Sequence, residues 1–158
     1  VRWHYRDPAL IWLLVCAYAA HVIEEYLAGF PQWIAVIAGR SMPTTVFVGI
    51  NATAFVGMVL AARAAIRSEA LGWLAVALAT VLFINALAHL GASLVTGSYS
   101  PGLVTGVVLY VPIAQLVLLR AWHQTPQAIF WTGVGAGAAV HAVVVAAALV
   151  GSRVVLTS

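Results

Sequence analysis

His21, Glu24 and Glu25 stand within one helical turn of each other in an otherwise apolar run. Imidazole and carboxylate at that spacing share one helix face, where they can hold a divalent metal ion or exchange a proton. The whole chain has four acidic residues, and two of them are adjacent in this run. A carboxylate withdrawn from water is costly unless it is paired, metal-bound or protonated, and two neighbouring ones raise each other's pKa. In a membrane segment such a triplet marks a functional site by default.

Other polar residues repeat at helical spacing. Asn85, His89 and Ser93 follow at steps of four. Gly133, Gly137 and His141 do the same, and a stripe of small residues lets a neighbouring helix approach closely, which turns His141 inward. Asn51 and Thr105 are the polar residues of two further apolar runs, and Tyr99 opens the turn cluster before Thr105.

The elements that must position these groups are transmembrane helices. The chain of 158 residues is 64% hydrophobic and 7% charged, with a mean hydropathy of +1.06. A soluble domain carries about 25% charged residues, so a single integral membrane domain over 1–158 is expected. Seven scattered arginines and no lysine leave no basic patch for nucleic acid. Cys16 is the only cysteine, which excludes an intramolecular disulfide and a thiolate metal cage. The first residues do not read as a cleavable signal peptide.

The predicted fold is all-α, a polytopic bundle of five transmembrane helices over about 9–30, 44–65, 70–94, 103–119 and 127–151. Arg2 and Arg6 lie in a polar head where Trp3 and Tyr5 suit a headgroup-level anchor. Pro31 is expected to end the first span, and 31–43 to lie in the interface as a connection too short to cross. Pro112 is expected to kink the fourth span and free a carbonyl. Arg2, Arg6, Arg63, Arg67 and Arg120 fall on one side and Arg40 and Arg153 on the other. That asymmetry puts the N-terminus inside and the C-terminus outside. At about 1.5 Å per helical residue, His21, Glu25, Asn51, Asn85, His89, Thr105 and His141 then meet in one layer of the outer half.

At these residues the chain resembles the HXXEE-domain family of small prokaryotic integral membrane proteins. The resemblance rests on His21-Val-Ile-Glu24-Glu25, then Asn85-Ala-Leu-Ala-His89, then Tyr99-Ser-Pro101-Gly102 with Thr105, in that order. It implies the five-span fold and the site, and it implies no particular activity.

The residues themselves support a metal-dependent enzyme in the cell (cytoplasmic) membrane, acting on a lipophilic small molecule in a cavity of the outer half. Expected metal ligands are His21, Glu24, Glu25, His89 and His141, around one or two ions of Zn, Fe or Mn. Expected catalytic groups are Glu24, Glu25, Asn85 and Tyr99, with Asn85 orienting His89 or a bound water. Asn51 and Thr105 would face the substrate. Two alternatives stay open: a metal-free Glu/His isomerase or cyclase of an isoprenoid-like compound, and a proton- or cation-coupled carrier or ligand-binding protein. The plainest reading makes the triplet a proton-sharing knot that fixes helix packing, His89 and Asn85 an interhelical pair, and Tyr99 to Gly102 a turn.

Overall fold

A computed structural model describes residues 4–153; Arg2 and Trp3 lie outside them. Helices are the only regular secondary structure among the described residues, and five of them are long and apolar enough to cross a membrane. The protein is a multi-pass membrane protein. Helix α1 covers Pro8–Leu27, α4 covers Thr44–Arg67 and α5 covers Trp73–Thr96. The fourth span runs from α6 (Leu103–Thr105) through a π turn (Gly106–Tyr110) into α7 (Val111–Gln124), and α8 covers Gln127–Gly151. Two short helices, α2 (Phe30–Trp33) and α3 (Ala35–Ala38), link the first and second spans.

Local chemistry sets the boundaries. The Asp7 carboxylate accepts the Ala9 N–H at 2.9 Å and Pro8 opens α1, where a missing N–H costs nothing. The first span ends at Leu27 rather than at residue 30, because Gly29 adopts φ 78°. Pro31 does not break α1; it sits in the first turn of α2. The stretch 31–43 folds back on itself, with Met42 N–H donating to Pro31 O at 2.7 Å. The fourth span continues past 119 to Gln124, so Arg120 and His123 lie inside α7. The disturbance expected at Pro112 takes the form of the π turn just before it, where Val111 N–H bonds Gly106 O.

Helix α5 is the most enclosed of the five. Against it α8 packs through glycines: a Cβ on Gly133 would stand 2.5 Å from Val76 Cβ, and one on Gly137 2.5 Å from Ala77 O. Gly137→Ala is therefore expected to push α8 off α5 and cost about 1–3 kcal/mol, as overpacking does. Thermal unfolding in detergent measures this, and an unchanged midpoint refutes the close contact.

At the far end α4 meets α8, where a Cβ on Gly151 would stand 2.6 Å from Val46 Cγ1. Further along, α4 and α8 draw apart. Gly49 and Gly57 on α4 have no neighbouring atom within 4 Å of a built Cβ. Between these helices, floored by α5 and roofed by 30–42, lies a cavity of ≈ 840 Å³.

Candidate functional site

Glu25 is placed on the inward stripe of α1 with His21 one turn before it, and both are buried. Helix α5 brings His89 to the same point. Glu25 Oε1 lies 3.6 Å from His21 Nε2 and 3.3 Å from His89 Nε2. The two imidazoles meet edge to face with centroids 4.9 Å apart. One ligand atom from each of these three residues falls within 4.8 Å of the others, the arrangement of a metal site. Among the described residues no other group of His, Cys, Asp and Glu does this.

The far nitrogens of both rings are anchored. His21 Nδ1 lies 2.8 Å from Thr105 Oγ1, whose hydroxyl donates to Gly102 O at 3.4 Å. Whichever partner donates, this contact fixes the ring with Nε2 directed toward Glu25. His89 Nδ1 lies 3.0 Å from Ser100 Oγ, and Ser100 N–H donates to Ser93 Oγ at 2.9 Å. Such partners on the remote nitrogen fix ring orientation in metal-binding histidines. Tyr110, delivered by the π turn, stacks on His21 with centroids 4.4 Å apart.

Glu24 has a different task. Its Oε1 accepts from Tyr99 O–H and from the N–H groups of Gly102 (3.2 Å) and Val104 (3.0 Å). Its Oε2 accepts from Thr105 N–H at 2.6 Å. One carboxylate thus gathers the donors left over at the start of α6 and pulls the 99–105 loop onto α1. The Tyr99 hydroxyl is pushed up to about 12, by burial first and then by the Glu24 carboxylate it serves. It stays a donor across any working pH.

These contacts are those of the three sequence motifs, folded onto one another. The family described as protein of unknown function with HXXEE motif matches residues 12–117. The chain belongs to the HXXEE family. No curated protein and no solved structure matches it.

In this HXXEE chain the motif residues divide into three groups. His21, Glu25 and His89 converge. Glu24, Tyr99 and Thr105 join the loop to α1, and Glu24 faces away from the trio. Asn85, Asn51 and His141 line the same cavity as the trio without joining it. Asn85 does not orient His89, because Ser100 does. Asn51 accepts from Tyr18 O–H at 2.8 Å and donates to Phe47 O at 3.0 Å. Tyr99 is not part of the cavity wall.

Ser100 and Tyr110 also belong to the site. A serine inside a Tyr-x-Pro-Gly turn carries no spacing signal, and Tyr110 reaches His21 only through the π turn. Gly102 is more than a turn residue, because a Cβ there would stand 2.6 Å from His21 Cε1 and 2.9 Å from His89 Cε1. Both rings rest on its bare Cα.

Four buried polar atoms with no hydrogen-bond partner belong to residues of this cavity: His21 Nε2, Asn85 Oδ1, Tyr110 O–H and Trp33 Nε1–H. Buried polar atoms are normally paired, so a cluster of exceptions calls for a ligand.

Proposed function

We propose that the chain is a metal-dependent enzyme of the cytoplasmic membrane, N-terminus inside, acting on a lipophilic small molecule in this cavity. The observation that carries the reading is the convergence of His21 Nε2 and His89 Nε2 on Glu25 Oε1, with His21 Nε2 buried and unpartnered. Two imidazole nitrogens and a carboxylate oxygen facing one point are satisfied when a cation or a proton lies between them. Two histidines and one glutamate suit Zn²⁺, and two histidines and a carboxylate with open positions suit Fe²⁺. Glu24 is committed to the loop, which leaves a three-residue set for one ion.

Such an ion would polarise a carbonyl or make a bound water acidic near neutral pH. The chain's own residues do the rest. Thr105 and Ser100 hold the imidazoles in place, Glu25 supplies the negative charge, and the apolar walls limit water. The cavity volume lies within the roughly 300–1,000 Å³ of small-molecule sites. Lipophilic substrate follows from walls of Ile, Val, Leu, Phe and Ala around few polar groups.

Metal content of detergent-purified protein tests the proposal. Stoichiometric Zn, Fe or Mn is expected, lost in His21→Ala and bound roughly 10–100-fold more weakly in Ser100→Ala. Protein that carries none and takes up none of these ions on addition rejects the metal. The metal-free acid–base isomerase would then be favoured, since His89 Nε2 and Glu25 Oε1 at 3.3 Å can share a proton.

A further inference from the structure

The shape and polar lining of the cavity say more about the substrate than its oiliness. The cavity runs along α5 from His89 to Trp73, about 24 Å at the helical rise. Near the trio it is roofed by Phe30, whose ring lies 6.0 Å from His89 and 5.9 Å from Phe47. Beyond Phe47 the wall of α4 carries Gly57, about 15 Å further along, with open space beside it. Opposite stand Ala136, Val140 and Val143 of α8. Val140 and Val143 line the cavity yet are 52% and 67% exposed, so this stretch opens sideways between α4 and α8. In a bilayer that side faces acyl chains.

At the closed end the metal accounts for only one of the unpaired polar atoms, His21 Nε2. Trp33 Nε1–H is a donor, Asn85 Oδ1 an acceptor and Tyr110 O–H can act as either. They ask for a head that carries both an acceptor and a donor.

We infer that the substrate is a single-chain amphiphile that enters tail-last between α4 and α8. Its head, bearing a hydrogen-bond acceptor and a donor, lies among Trp33, Asn85 and Tyr110 beside the trio. Its extended tail runs along α5 toward Trp73. Primary amides, carboxylic acids and alcohols share this head chemistry, and a rigid fused-ring lipid of similar length is the alternative occupant that the test sets against a single chain. The inference rests on the cavity being the substrate site, but not on the metal.

Binding of hexadecanamide, decanamide, methyl hexadecanoate and cholesterol to the full chain, followed by native mass spectrometry, tests it. Hexadecanamide is expected to bind more than about tenfold tighter than decanamide, because each added buried methylene contributes. It should also exceed cholesterol, and exceed methyl hexadecanoate, which lacks the donor. Gly57→Phe and, from the opposite wall, Ala136→Phe should each remove the preference for the longer amide. Asn85→Leu should remove the preference for amide over ester. Equal binding of the two amides, a length preference that survives both phenylalanine variants, or cholesterol binding as tightly overturns the proposal. So does an amide preference that Asn85→Leu leaves intact. Metal content of the same samples separates the two readings. Metal-free protein that keeps the length preference retains this inference and discards the metal, and metal-loaded protein without it does the reverse.

Discussion

Gly102→Ala is expected to strip the protein of its metal and lower its unfolding temperature, although it adds a single methyl group. Gly102 has φ 99°, a conformation that costs an L-residue about 1–2 kcal/mol. The larger effect is steric. The new Cβ would stand 2.6 Å from one imidazole carbon and 2.9 Å from the other. Neither ring can yield freely, since Thr105 holds His21 and Ser100 holds His89 at their far nitrogens. Both Nε2 atoms therefore shift relative to Glu25, and metal affinity should fall by more than the roughly 100-fold that loss of an outer partner can cause. Gly97→Ala and Gly39→Ala are the controls. They too have positive φ, 63° and 74°, but nothing lies within 4 Å of their built Cβ atoms. They should lose about 1 kcal/mol of stability and keep full metal content. A Gly102→Ala protein that behaves like Gly97→Ala would show that the rings do not rest on this glycine.

The sequence carried the site's location better than its division of labour. Five apolar runs and one acidic pair inside the first of them were legible because charge is so scarce in this chain that each exception stands out. The i, i+4 and i, i+3 relations put His21 beside both Glu25 and Glu24, and helical depth put His89 and His141 at their level; of these five residues only His21, Glu25 and His89 converge. What spacing could not tell was which of two adjacent carboxylates faces inward. Neighbouring helix positions point about 100° apart, and either choice gives a histidine one turn away. The loop decided it: donors at the start of α6 need an acceptor, and Glu24 is the one that reaches them. Tyr110 escaped notice for a related reason. The π turn before Pro112 rotates the following residues, so a regular helical wheel misplaces that ring. The end of α1 differs from the expectation because a glycine in the left-handed region, Gly29, ends the helix, whereas Pro31 lies in the first turn of the next one.

The two adjacent glutamates should fail in opposite ways when each is changed to the isosteric amide. Glu25→Gln keeps its volume and bonds no part of the 99–105 loop, so the protein should unfold near the temperature of metal-free wild type. It removes the one negative charge between His21 Nε2 and His89 Nε2, and metal retention and activity should vanish. Glu24→Gln leaves the trio's atoms unchanged but spoils the clamp. The carboxylate accepts from Tyr99 O–H and three backbone N–H groups, and hydrogen bonds to a charged group contribute about 1.5–3 kcal/mol each. An amide offers one acceptor oxygen, and its NH₂ must face at least one of those donors. A loss of about 3 kcal/mol is expected, read as a lower unfolding temperature in detergent and faster amide exchange at Gly102, Val104 and Thr105. Because the loop also carries Thr105 and Ser100, metal should bind more weakly but still measurably. Tyr99→Phe, which removes the one side-chain group among these four donors, should reproduce the loop effect at about 1 kcal/mol and leave the metal in place. Should Glu24→Gln lose all metal at an unchanged unfolding temperature while Glu25→Gln retains it, the inward ligand is Glu24 and the assignment reverses.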